Sequence, residues 1–246
     1  MIGAIAGREV RAGVVTPLLW VLLGVGQIVL AWIFLQVIED FTGLNADERA
    51  APLTQELTLN LFAFAGVVAM LAAPLLAMRM LSGELRDGSF DLIASSPVRL
   101  GQVVLGKMLG LAALITPLCL LPAANVLILS GVTSLDLGQL AASTLGLWLA
   151  AVMFCAIGLY ASSLTSQPGA AVLAAFGLLL LLSVIGRADS TLAIQDLSLF
   201  GWLSWNEHLF WLLMGAVRLS DLSYFLLFTG FFLALTHRRL SNRRLQ

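Results

Sequence analysis

Charge is what this chain has least of. Only 11% of its 246 residues are Asp, Glu, Lys or Arg, against about 25% in a soluble domain. Hydrophobic residues make up 60%, and the mean hydropathy is +0.98. Such a chain cannot cover itself with polar surface, so the composition implies a polytopic membrane protein and excludes a soluble enzyme. Cysteine is scarce too: Cys119 and Cys155 both fall in apolar runs and read as small hydrophobes rather than as a disulfide or a metal pair. The two histidines, His208 and His237, are expected to stand alone at opposite faces, so no metal site, Ser–His pair or other catalytic group is expected. No expected span carries an acid, a histidine or an arginine at its centre. Ion-coupled carriers normally need one, which disfavours that class. The formal net charge of −1 suggests no nucleic-acid partner.

What is present is a series of apolar runs. Residues 1–16 suit a short interfacial helix, with Arg8 and Arg11 on one face and Ile5, Val10 and Val14 on the other. The first run is expected to be retained, because no small-residue cleavage site follows it. The expected spans are Pro17–Ile38, Leu57–Met80, Val103–Leu129, Gln139–Ser162, Gly169–Ile185 and Leu222–Thr236. Pro117 and Pro122 are expected to kink the third. Before the last span lies an outer segment, 186–221, rich in tryptophan (Trp202, Trp205, Trp211), as aromatic rings are at a headgroup boundary. It reads as two short interfacial or re-entrant helices, one starting at a capping box Ser204–Glu207. The fold class is thus an all-α polytopic membrane protein of six transmembrane helices, with one domain over 1–246.

Charge asymmetry orients it. The N-terminus, Arg79 with the 81–107 stretch, the Ser163 loop and the tail hold ten of the thirteen basic residues and four of the fourteen acids. The basic excess marks the cytoplasm, which puts both termini inside an inner membrane.

The polar stretch between spans two and three, 81–99, is the elbow on which the rest turns. Asp87-Gly88 signals a turn, Ser89 can cap a new helix, and Pro97 stops it after about two turns. Phe90, Ile93 and Ala94 share one face, so the segment reads as a short amphipathic helix that either seats in a soluble partner or lies on lipid. Gly83-Glu84-Leu85-Arg86-Asp87-Gly88-Ser89-Phe90-Asp91-Leu92, then Ser95-Ser96-Pro97-Val98 and Val104-Leu105-Gly106-Lys107, resemble the signature of ABC-2 type permeases. Ile157–Thr165 is similar to the end of span four in their short, GldF/NosY-like six-span group. The resemblance implies the membrane subunit of an ATP-binding-cassette exporter. It places a coupling helix at Glu84–Pro97, with Glu84, Arg86, Asp87, Phe90 and Asp91 toward the ATPase. A second contact is implied at the Ser163–Gly169 loop, including Ser163 and Thr165. Arg8, Glu9 and Arg11 would pack beside the same partner. Asp91 stands where the family more often has Glu.

The resemblance further implies two cytoplasmic ATPase subunits carrying ATP and Mg, a second copy of this chain or a related permease, and room for a periplasmic accessory protein. The alternative is an ATPase-driven scaffold that transmits force to a periplasmic partner. Gly101–Lys107 imitates a P-loop start, but Met108 follows where a hydroxyl is needed and no strand precedes it, so the chain is expected to bind no nucleotide itself. Gly106 and Gly110 form a G-x-x-x-G pair, suited equally to contact within the chain or between copies. Lys107 is expected to snorkel to the cytoplasm. The amides Gln27, Asn60 and Asn125 are candidates for lining a pathway or for helix-to-helix hydrogen bonds.

Overall fold

The computed structural model describes residues 2–43, 52–88, 99–131, 133–188 and 203–244. Every regular element among them is helical. α1 (Ile2–Val15) leads through a bend at Thr16 into α2 (Pro17–Gly43). Then come α3 (Leu53–Arg86), α4 (Leu100–Gly131), α5 (Leu137–Leu164), α6 (Pro168–Ala188), α7 (Trp205–Leu213) and α8 (Leu219–Arg244). Five of these (α2, α3, α4, α5 and α8) are long and apolar enough to cross a bilayer, and α6 is a shorter apolar helix. At 1.5 Å per residue the 27 residues of α2 extend about 40 Å, more than the ~30 Å hydrocarbon core.

The helices overrun the expected spans at their polar ends. The first turns of the expected elbow continue α3 as helix to Arg86, where Gly88, at φ +69°, supplies the left-handed turn that ends it. The last span, expected to stop at Thr236, continues to Arg244. Nothing in 237–244 breaks a helix, and the arginines there sit at the C-terminal end, where the backbone dipole favours cations. α4 runs unbroken from Leu100 to Leu127 through both Pro117 and Pro122.

α5 is the centre of the bundle, with α3, α4, α6, α7 and α8 all packed on it. Its small residues allow this. A Cβ on Gly158 would lie 2.7 Å from the Ala77 Cβ, and one on Gly146 would lie 2.8 Å from the Leu212 Cβ. Ala150, Ala151, Ala156, Ala73 and Ala77 are all buried, so the α3–α5 backbones approach closely. Where no water competes, such contacts hold helices together by packing rather than by a hydrophobic force.

Polar ties close the acidic end of the bundle. Gln139 Nε2 donates to Thr58 Oγ1 at 2.8 Å and to the Leu213 carbonyl at 3.0 Å, joining the starts of α3 and α5 to the end of α7. Ser204 does stand at the N-cap of α7, but its side chain makes no capping hydrogen bond, so the expected capping box is not formed. α7 is held by other means. Trp205 Nε1 donates to Ser183 Oγ at 2.9 Å, and its ring meets Phe154 edge-on at 5.0 Å. Gly215, at φ +82°, turns the chain back, which brings α8 beside α7. This corrects the reading of His208 as a lone histidine: its Nδ1 lies 2.7 Å from Asp221 Oδ1, and both side chains are buried. Tyr224 stacks on His208 at 4.1 Å and donates its hydroxyl to the Leu203 carbonyl.

Candidate functional site

The opposite end of the bundle carries the basic residues, and there α1 packs along α4. The G-x-x-x-G pair makes the seat. A Cβ on Gly106 would be 2.8 Å from the Ile5 Cβ and 3.2 Å from the Ile2 carbonyl oxygen; one on Gly110 would be 2.8 Å from the Glu9 Cβ. The pair therefore serves a contact within the chain, between α4 and α1. Ile5 faces the seat as its spacing suggested, whereas Val14 stays exposed.

The seat lowers Glu9 onto Lys107. Lys107 is 1% exposed, and its Nζ lies 2.8 Å from Glu84 Oε1 and 3.0 Å from Glu9 Oε1. Arg8 Nη2 reaches the same two carboxylates at 3.2 and 2.7 Å. The expectation that Lys107 snorkels to water is thus overturned. Two carboxylates from α1 and α3 come to it, and an ammonium paired in this way need not reach the solvent. Burial works against the charged Glu9, but the Lys107 ammonium and the Arg8 guanidinium outweigh it and hold the carboxyl below its usual range. Arg8 is raised, first by its hydrogen bond to Glu9. The cluster of two cations and two anions locks α1, the end of α3 and the start of α4 into one unit. Sequence reasoning missed it because the partners lie 98 and 23 residues from Lys107. The signal that would have found it is a lysine two turns inside an apolar helix, which requires a counter-charge.

A second tie, also missed, joins the elbow to the end of α5. Ser162 Oγ accepts from the backbone N–H of Leu81 at 3.1 Å and of Ser82 at 2.9 Å, and donates to the Met78 carbonyl at 2.9 Å. The hydroxyl is inserted into the last turns of α3, and Ser82 Oγ bonds the same Met78 carbonyl. The two regions expected to meet an ATPase, the elbow and the Ser163 loop, are therefore tied where they leave α3 and α5.

The remaining expected site residues divide by exposure. Arg8, Arg11, Arg86 and Asp87 are exposed. Glu9 and Glu84 point into the cluster, at 12% and 16% exposure. Ser163 is fully buried and donates to the Tyr160 carbonyl, so its side chain offers no surface to a partner; Thr165 accepts from the Gln167 N–H, and Leu164, Ser166, Gln167 and Gly169 are the exposed residues of that loop. Phe90, Asp91 and the expected short helix from Ser89 to Pro97 lie outside the described residues, as do Asp189, Asp196 and Trp202. Of the amides, Gln27 Nε2 donates to Asn125 Oδ1 at 2.8 Å, joining α2 to α4, while Asn60 bonds within its own helix to the Glu56 carbonyl. Gln27 Oε1 and Asn125 Nδ2 are buried without a partner among the described residues. No group of three or more His, Cys, Asp or Glu among the described residues could hold a metal ion.

Long apolar helices on a small-residue core, with one end locked by buried ion pairs, define a multi-pass membrane protein. Residues 3–212 match the model of the ABC-2 family transporter protein, so the chain belongs to that family. No curated protein matches it. It is the membrane permease component of an ABC-2 type transporter, a class of membrane domain that lacks an ATPase site, and membership implies an ABC ATPase partner that carries the ATP.

Proposed function

We propose that this chain is the six-span membrane subunit of an exporter in the GldF/NosY-like group, with the basic end facing the cytoplasm of a bacterial inner membrane. α6 is the additional span, running from the basic end at Pro168 toward Trp205 at the acidic end. Two ATPase subunits, loaded with ATP and Mg, dock on the basic end, and a second copy of this chain or a related permease completes the pathway. A periplasmic accessory protein is accommodated at the acidic end around 186–221.

The single observation that supports this most is the Ser162 tie. A push on the elbow, through Arg86, Asp87, Phe90 and Asp91, reaches Met78–Ser82 and passes straight to α5, which touches five other helices. The Ser163–Gly169 loop, which begins next to that bond, is the second docking point, through Thr165 and its exposed neighbours. Arg8 and Arg11 extend the docking face along α1. Glu9, Glu84 and Lys107 hold that face rigid, so that ATPase movement is transmitted rather than absorbed. ATP binding then shifts the population between closed and open arrangements because the ATPase binds the two differently. Gln27 and Asn125, each with one amide atom unmet among the described residues, are the candidates for lining the pathway, with Asn60 near its acidic mouth.

Thiol labelling tests the placement. Cys119 and Cys155 are buried, so single added cysteines report cleanly. Asp87→Cys and Ser166→Cys react with an impermeant reagent only from the cytoplasmic side and are shielded by the ATPase. Glu207→Cys reacts only from the other side. Reaction of all three from one side contradicts the proposal.

A further inference from the structure

The turn between α1 and α2 leaves a crevice of about 330 Å3 against α3 and α4, within the range of small-molecule sites. Its apolar lining includes Leu18, Leu75, Leu76 and Leu114, and its polar lining includes Thr16 and Arg79, both exposed. Glu9 also borders it, but the charge of Glu9 is answered within the Arg8–Glu9–Glu84–Lys107 cluster, whose formal charges sum to zero. Arg79 makes no ion pair and no hydrogen bond among the described residues, so among these the crevice carries one positive charge that no partner answers.

The depth of Arg79 indicates what answers that charge. Residues 57–78 of α3 carry no charge and lie between Glu56 and Arg79. At 1.5 Å per residue they extend about 33 Å, the thickness of the hydrocarbon core. Arg79 therefore stands where the core gives way to phosphate headgroups, above an apolar wall from α2, α3 and α4. A guanidinium at that level matches a phosphodiester in two parallel hydrogen bonds.

We propose that the crevice is a binding site for one anionic glycerophospholipid. Its phosphate is held by Arg79, Thr16 Oγ1 is within the polar rim, and an acyl chain lies along Leu18, Leu75, Leu76 and Leu114. The bound lipid fills the angle between α1 and α2. This inference needs only the membrane-spanning fold and does not rest on the exporter reading.

The test is native mass spectrometry of the purified, delipidated chain offered equal amounts of phosphatidylglycerol and phosphatidylcholine. The wild type retains one phosphatidylglycerol in preference. Arg79→Gln weakens retention about tenfold or more, the scale of a lost charge-assisted hydrogen bond. Arg11→Gln, an exposed arginine that does not line the crevice, leaves it unchanged. Leu76→Trp fills the crevice, keeps the charge and also abolishes retention; it carries the test alone should Arg79→Gln not fold. The proposal is overturned if both crevice variants retain lipid like the wild type, or if the two lipids are held equally. It is also overturned if excess inorganic phosphate displaces the lipid from the wild type, which would assign Arg79 to a soluble phosphate ligand.

Discussion

Replacing Lys107 by methionine removes a charge from inside an apolar helix, and a snorkelling lysine would be improved by it. The geometry predicts the opposite. Glu9 and Glu84, 12% and 16% exposed, lose the ammonium at 3.0 and 2.8 Å that lets them remain ionised in that position. Removing one partner of a fully buried ion pair costs about 3–5 kcal/mol. The two carboxylates sit near the rim, and Arg8 still reaches both, so the lower end, about 3 kcal/mol, applies here. That is more than a hundredfold in the folding equilibrium. For a chain of this size it corresponds to a fall of roughly 6–12 °C in the melting temperature. Combining Lys107→Met with Glu9→Gln and Glu84→Gln removes the orphaned charges and restores most of the loss, because an apolar or neutral replacement of a whole buried pair is often near neutral. The assay is thermal unfolding of detergent-solubilised protein, single variants beside the triple. A Lys107→Met protein as stable as the wild type, or a triple variant worse than the single, refutes the reasoning.

Other outcomes follow from the same contacts. Glu9 has a folded-state pKa below its unfolded value, so its stabilisation is fully present above the usual carboxylate range near pH 4.3 and is lost as the pH falls through the lowered value. Glu9→Gln abolishes that part of the acid limb, which stability measured against pH will register. Gly110→Leu drives a side chain into Glu9 and Ala6; α1 then leaves α4, and a disulfide engineered between those two helices no longer forms. Ser162→Ala leaves the Leu81 and Ser82 N–H groups to the helix alone at a cost of about 1–3 kcal/mol. Amide exchange across 78–86 then rises, and ATP-driven transport falls while ATPase docking persists. His208→Ala frees α7 from Asp221 and increases exchange in 205–213 without altering the basic end.

The long apolar helices were legible because membrane spans announce themselves by length and by the absence of charge, and every expected span lies within or overlaps a helix. Their ends were less legible. Glu84 and Arg86 were expected beyond the end of span two, in the elbow, but the same helix carries them on, since a charged residue outside the hydrocarbon has no reason to leave it. The α1 helix, its Arg8/Arg11 face and the Gly88 turn could all be read locally. What could not be read was anything that needs a distant partner. Lys107 with Glu9 and Glu84 joins three helices, Ser162 with Met78–Ser82 and His208 with Asp221 each join two, and single-sequence periodicity says nothing of which faces meet. The glycine pair at 106 and 110 declared a close approach but not to what. The family signature pointed to the elbow as the place of coupling; the ties that would stiffen it are ordinary side-chain hydrogen bonds and ion pairs.

The most direct test of the coupling account is affinity purification of the tagged chain from its native membrane, with ATPase activity measured in the eluate. The charge reversals belong at Arg86 and Asp87, which are exposed, and not at Glu84, whose loss would also break the Lys107 cluster. The account predicts that the wild type and a Glu207→Lys control at the acidic end bring down an ABC ATPase. Arg86→Glu with Asp87→Lys loses it, with an unchanged melting temperature. A charge-reversed elbow that still recovers the full ATPase activity would contradict the assignment of this end of the bundle as the docking face.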